Sequence, residues 1–302
     1  MPHDRAWWQE KIESVWHSAS DPSERDAVGR SFFERLRGRT PTAWKSFVDK
    51  QDPGLLPDDW NDSKRNIGVF TSSEDEFVAI GDLWENPIYK SQSDAVERLV
   101  GDALARFPGI HFYVRMHPNL VGIANREVDK MRALRSPNLT LIEPESKIST
   151  YALLDAVDRV ITYGSTVGIE ATFWRKVSIM AGHALYEHLD VVYRPIDHAD
   201  LLKLLEADLE PKSLLDSIKY GFCMQTFGTP FKYWKADGFV DGRFRGRPLM
   251  WESTTYLERR ILMESLARGF HSPLLHDLVT GVSRVADGAR ERFRRIRTSD
   301  RN

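Results

Sequence analysis

Residues 155–182 read Asp-Ala-Val-Asp-Arg-Val-Ile-Thr-Tyr-Gly-Ser-Thr-Val-Gly-Ile-Glu-Ala-Thr-Phe-Trp-Arg-Lys-Val-Ser-Ile-Met-Ala-Gly, which is the grammar of a strand, a tight turn, a helix and a second strand. Val160, Ile161 and Tyr163 form an apolar run of strand length. Gly164 interrupts it with a residue free to adopt backbone angles closed to others. Ser165 and Thr166 follow where a helix would begin, and their hydroxyls can cap unpaired backbone N–H groups. Gly168 leaves room for another backbone or a ligand. Val167, Ala171 and Trp174 recur at helical spacing, and Val177–Met180 is a second buried-strand run. A strand feeding such a turn suits an anion, because the free N–H groups point outward and the helix dipole adds partial positive charge. The stretch reads as a phosphate site or as an ordinary strand–helix turn with a capping serine. Glu170 favours the first reading, since on the first helical turn it can face the same crevice and accept hydrogen bonds from ribose or sugar hydroxyls.

The same alternation runs through the preceding residues. Ile67 to Phe70 predicts a strand that enters Thr71-Ser72-Ser73-Glu74-Asp75-Glu76, either a helix cap or a loop at a ligand crevice. Residues 93–107 predict an amphipathic helix through Val96, Leu99, Val100 and Leu104, ended by Pro108-Gly109. Ile110 to Val114 predicts the next strand, leading into Arg115-Met116-His117-Pro118. His117 stands at a strand end, in a turn stiffened by Pro118. A helix over 127–134, a strand over 139–142 and a helix over 151–157 follow. Lys147 and Ser149 lie in the loop between the last two, where Lys147 can reach a phosphate or simply be solvated. Further helices are expected over 199–205 and 214–222. Strands alternating with helices predict an α/β fold, a Rossmann-like parallel sheet with helices on both faces and ligands beyond the carboxyl ends of its strands.

The run from Ser149 to Ala171 with Lys176 to Gly182, together with Phe70-Thr-Ser-Ser-Glu-Asp-Glu-Phe and Arg115-Met-His-Pro, resembles the donor-binding half of capsule polysaccharide biosynthesis proteins. These are Kdo transferase-like enzymes of the GT-B type, more distantly similar to polysialyltransferases and CDP-glycerol glycerophosphotransferases. The resemblance covers about residues 66–234. It implies a nucleotide-sugar donor, CMP-linked such as CMP-Kdo, and a glycan or glycolipid acceptor. With the strand ends and turns read above, the nucleotide and phosphate candidates are Ser72, Ser73, Arg115, His117, Pro118, Lys147, Gly164, Ser165, Thr166 and Gly168, and the resemblance assigns the His117-Pro118 pair to the nucleotide phosphate. It gives Glu170 the donor hydroxyls, makes His117 and Glu170 the catalytic candidates, and makes His183-Ala-Leu-Tyr-Glu a loop that closes over the nucleotide.

Composition narrows the rest. The 302 residues carry a net charge of −2, which gives no argument for nucleic acid. A single cysteine, Cys223, excludes an internal disulfide framework and a cysteine-rich zinc site. No metal site and no cofactor are expected, the nucleotide-sugar being a substrate. The amino terminus lacks a signal-peptide core, and no run approaches the ~20 apolar residues of a spanning helix, so a cytoplasmic location is expected. Trp7, Trp8, Ile12 and Trp16, and then Phe32, Phe33 and Leu36, predict two helices over 4–37 whose aromatic cluster is either core or a docking face, and 49–64 reads as a polar connection. The expected division is a helical segment with linker over 1–64, the nucleotide-sugar domain over 65–237, and a basic helical extension over 238–302. Helices are expected over 252–268 and 273–296, and the basic tail 290–297 allows at most peripheral contact with anionic lipid. A complete two-domain enzyme would place another α/β domain before Asn66. The expectation is therefore a donor half that transfers poorly alone, with apolar amino-terminal faces left for a partner chain that supplies the acceptor domain. A non-catalytic nucleotide-sugar-binding subunit is the alternative, and a sugar-nucleotide epimerase is a third.

Overall fold

The computed structural model of the chain describes residues 4–19, 21–39, 47–228, 231–236 and 242–249. The chain divides into two compact units, 1–40 with 46–229 and 41–45 with 230–302. In the first unit, five parallel strands are ordered β3-β2-β1-β4-β5. They are β1 (Arg65–Phe70), β2 (Ile110–Arg115), β3 (Leu139–Ile142), β4 (Arg159–Thr162) and β5 (Val177–Met180). Pairing runs Ile67 to Phe112 and to Arg159, so β1 sits between β2 and β4. This is the α/β class expected from the sequence.

Because both faces are covered, the strands are apolar at successive positions rather than alternately. Ile67, Val69, Phe112, Val114, Ile161 and Ile179 belong to one core. It is closed by α4 (Gln92–Arg106), α5 (Arg126–Ala133) and α8 (His198–Glu206). Phe70, Tyr113 and Val160 face the other side, against Leu153, Leu154 and Val157 of α6 (Thr150–Ala156) and its end. The helix α4 shows why the pattern was readable. Ser91 caps it by accepting from the Asp94 N–H, Ala95, Val96, Leu99, Val100 and Ala103 line its buried stripe, and it stops before Pro108.

The aromatic cluster of the first residues is core, the first of its two expected roles. The helices α1 (Arg5–Ser18) and α2 (Pro22–Arg37) bury Ile12, Trp16, Phe32 and Phe33 against α9 (Leu214–Thr226) and α7 (Val167–Phe173). Phe33 stacks on Phe173 with ring centroids 4.3 Å apart. At the crossing of α2 and α9, a side chain at Gly29 would strike the Ile218 carbonyl, and one at Gly221 would strike the Gly29 carbonyl. The amino-terminal aromatic faces are therefore used within the chain, not left for a partner. The connection after residue 46 is likewise part of the unit: Trp60 stacks on Tyr113 at 4.7 Å, and the Asp52 N–H donates to the Lys147 carbonyl at 2.8 Å. The reason is that the sheet face around Tyr113 needs a cover that α6 alone does not provide.

The second unit contains an antiparallel sheet of β6 (Trp234–Ala236), β7 (Gly242–Phe244) and β8 (Arg247–Leu249). Arg245 and Gly246 both have positive φ, 51° and 79°, the geometry of a two-residue turn that matches strand twist. The basic Gly-broken run at 242–247 thus forms a hairpin. The helices expected over 252–268 and 273–296 and the basic tail lie outside the described residues. No helix among the described residues is long and apolar enough to cross a membrane.

Candidate functional site

The order β3-β2-β1-β4-β5 places the reversal of the sheet between β1 and β4. Chains leaving the carboxyl ends of these two strands turn to opposite faces, which opens a crevice between them. Two groups of expected residues stand at these ends, 71–73 with 117–118 and 164–166.

The first group is a built arrangement. The Thr71 hydroxyl accepts the His117 backbone N–H at 3.0 Å. The Asn119 N–H lies 3.1 Å from His117 Nδ1, and the Ser73 hydroxyl lies 3.2 Å from the same nitrogen. A backbone N–H can only donate, so Nδ1 is the acceptor and the neutral ring carries its proton on Nε2. Phe47 packs edge-on against the ring at 5.0 Å. Pro118 opens the short turn Pro118–Leu120 that brings the Asn119 N–H round. Ser72 is fixed by Gln92, whose Oε1 accepts the Ser72 N–H at 2.8 Å and whose Nε2 donates to the Ser72 hydroxyl at 3.1 Å.

The second group is more enclosed than the sequence suggests. Gly164 has φ 122°, and a Cβ there would lie 2.5 Å from the His183 carbonyl and 2.9 Å from Phe77. Phe77 comes from α3 (Glu74–Ile80), which follows Ser73. Ser165 is buried, and its hydroxyl accepts the Val167 N–H at 3.3 Å. Thr166 is exposed and makes no side-chain cap. Gly168 is explained by packing: a side chain would overlap the Tyr186 hydroxyl, which itself donates to the Ser165 carbonyl. The room read from the sequence is filled by a tyrosine, not left for a ligand.

Glu170 is 7% exposed. Its carboxyl accepts the Tyr151 hydroxyl at 2.6 Å and the Thr166 hydroxyl at 3.2 Å, because α7 lies against α6 and turns position 170 toward Tyr151. Burial pushes its pKa up, against the lowering effect of the two hydroxyl bonds. It reaches the crevice through Thr166 rather than by an open carboxylate.

Two expected phosphate ligands are engaged elsewhere. Arg115 is buried, donates to the carbonyls of Ile148 (2.9 Å) and Ser146 (3.4 Å), and so shapes the loop after β3. Desolvation pushes its pKa down to about 10. Lys147 is 72% exposed at its side chain and lies 4.0 Å from an Asp52 carboxylate oxygen. The loop after β3 is bonded to the 47–60 segment, where the Ser149 N–H donates to the Leu55 carbonyl at 2.9 Å.

Sequence reasoning missed a hollow beside these turns. A cavity of about 500 Å³ opens beside the ends of β4 and β5, walled by Glu74, Phe77, Trp84, Glu85, Tyr89, Lys90, Tyr163 and His183. Phe77 and Trp84 stack at 5.5 Å with rings 7° from parallel. Asn86 shapes the wall, donating to the Ala181 carbonyl at 2.8 Å and accepting the Ile88 and Tyr89 N–H groups at 2.9 Å. The dipeptide Asn86-Pro87 was the available signal, as a turn mark within a polar stretch. Arg5 of α1 donates to the Leu83 carbonyl and lies 5.3 Å over the Trp84 ring, tying this wall to the amino-terminal helix.

Behind His183 lies a charged cluster around Glu187, whose side chain is 3% exposed. His183 Nδ1 is 2.7 Å from Oε2, while Arg5 (2.9 Å), His188 (3.4 Å) and Arg194 (3.7 Å) surround Oε1. Burial alone would raise the Glu187 pKa. The hydrogen bond of His183, with Arg5 and Arg194, outweighs it and holds the carboxyl below its usual range.

No family model matches the chain, and no curated protein matches it. Among solved structures it is similar to the Thermosulfurimonas dismutans KpsC β-Kdo 2,4-transferase, at 17% identity over 70% of this chain and 59% of that chain, with a TM-score of 0.45. It is similar to the KpsC β-Kdo 2,7-transferase of the same organism, at 16% identity over 71% and 57%, with a TM-score of 0.41. It is also similar to S. aureus MnaA in a structure with UDP, at 13% identity over 60% and 47%, with a TM-score of 0.37. The chain spans 59%, 57% and 47% of the lengths of these three structures.

Proposed function

We propose that the chain is the donor-binding part of a GT-B type glycosyltransferase of capsule or other surface polysaccharide synthesis. Its donor is a nucleotide-linked sugar, CMP-linked such as CMP-Kdo, and its acceptor is a glycan or glycolipid at the cytoplasmic face. The observation that carries this reading is His117, held in one tautomer at the reversal of the sheet. A neutral ring that keeps its proton on Nε2 is a hydrogen-bond donor without a full charge, suited to the phosphate oxygen of a leaving nucleotide. Stabilising that charge is the main catalytic lever where a positioned donor already stands. Thr166, held by Glu170, offers a hydroxyl on the opposite side of the crevice for the donor. Ser73 orients His117, and the Gly164–Ser165 turn sets the approach.

The second reading is a donor-binding module that works with a partner chain. It is favoured by the single parallel sheet among the described residues, which supplies one wall of a crevice. The experiment for the shared core of both readings is calorimetric titration with CMP. A hydrogen bond to a charged group is worth ~1.5–3 kcal/mol, so His117→Ala should weaken CMP binding roughly 10- to 100-fold. The variant's thermal unfolding should stay close to wild type. Unchanged affinity contradicts the role given to His117.

A further inference from the structure

The loops after β2 and β5 each carry a histidine, and their neighbours fix opposite tautomers. His117 receives an N–H at Nδ1. His183 faces a carboxylate at Nδ1, at 2.7 Å. Glu187 stays ionised there, because Oε1 is surrounded by Arg5, His188 and Arg194. An ionised carboxylate only accepts, so the neutral form of His183 carries its proton on Nδ1 and its lone pair on Nε2. Among the described residues, Nε2 of His183 makes no hydrogen bond, and His183 is one of the residues that line the 500 Å³ cavity. A ring oriented by a carboxylate, with its second nitrogen able to take a proton in a cavity, is the arrangement of a general base.

We propose that His183 is the proton acceptor of this site, with Glu187 as its positioning residue. The inference rests on the donor-binding reading above. In the step it describes, a hydroxyl entering the cavity, from a sugar acceptor or from water, gives its proton to His183 Nε2. Its oxygen forms the bond to the anomeric carbon of the donor. The bond from that carbon to the phosphate oxygen breaks, and its electron pair leaves with the nucleotide, whose phosphate meets the Nε2–H of His117. One histidine donates and the other accepts, a division set by their hydrogen-bond partners.

The test uses the full 302-residue chain, CMP, and a CMP-linked sugar such as CMP-Kdo with water as acceptor. CMP release is followed above the rate without protein. General-base catalysis contributes about 10²- to 10⁴-fold, so His183→Ala should lower the release rate about 100-fold or more. Its Kd for CMP should stay within about twofold of wild type, since the base does not hold the phosphate. Glu187→Gln should lower the rate by less, and nitrogen NMR of the histidine rings should show the Nδ1–H form of His183 in wild type and its loss in that variant. An unchanged rate in His183→Ala overturns the inference, as does a CMP affinity that falls in step with the rate. A wild-type chain that binds CMP but releases none from the donor also overturns it and leaves the donor-binding reading standing. A wild-type chain that binds no CMP overturns both.

Discussion

The buried carboxyl of Glu170 makes stability depend on pH in a sense opposite to that of a paired surface carboxylate. Its pKa is raised in the folded chain, chiefly by burial. An unfolded glutamate titrates near ~4.3. The folded state therefore holds the proton more tightly, and the contribution of Glu170 to stability is complete below ~4.3 and is lost as pH rises through the folded value. Glutamine keeps an acceptor for Tyr151 and has no proton to lose. Urea denaturation of wild type and Glu170→Gln from pH 4 to 8 should give curves that diverge with rising pH, the variant gaining relative stability. Parallel curves would contradict the burial argument. Glu187 shows the contrast: burial also acts on it, but His183, Arg5 and Arg194 reverse the direction. Residue type alone did not separate these two glutamates. Their partners lie 19 residues away for Glu170 and 182 away for Glu187 with Arg5, and only the fold brings them together.

At the scale of elements, the strands were legible because each is a short apolar run closed by Gly, Pro or a polar turn. The run at 67–70 and the run at 177–180 both fall within the observed strands. The amphipathic stripes of α4 and α8 were legible for the same reason. Less legible was where an apolar face goes. The stripe of Phe32 and Phe33 marks a helix but does not name its neighbour, which is α9, nearly two hundred residues later in the chain. Phe33 is fully buried and stacked on Phe173. Truncating a buried phenylalanine to alanine costs ~3–5 kcal/mol. Phe33→Ala should therefore lower the stability of the sheet-bearing unit by that amount in urea titration. A loss below ~0.5 kcal/mol, the usual range for an exposed site, would mean that the helices lie free of the core. The site showed the same limit. The phosphate-like turn at 164–166 was visible as a pattern, whereas the approach of Phe77 and the His183 carbonyl to Gly164 was not, since it depends on how α3 and the loop after β5 fold over the sheet.

For the whole molecule, the decisive feature is the reversal of the sheet between β1 and β4. It puts Thr71, Ser73 and His117 on one side and the Gly164–Thr166 turn on the other, with the cavity around Phe77, Trp84 and His183 beside them. This unit has its own core on both faces and belongs to one contact cluster, as a unit that folds on its own does, and the proposed donor site lies within it. Efficient transfer asks for an acceptor held in reacting geometry, a contribution worth up to ~7–11 kcal/mol of barrier, and a second wall is the means to hold it. The most direct measurement is hydrogen–deuterium exchange of the whole chain with and without saturating CMP. The expected result is slowed exchange at 71–73, 117–119 and 163–166, the backbone on either side of the reversal, with α9 unchanged. No protection anywhere, or protection confined to α9 and the 242–249 hairpin, would contradict a nucleotide site at the carboxyl ends of β1 and β4.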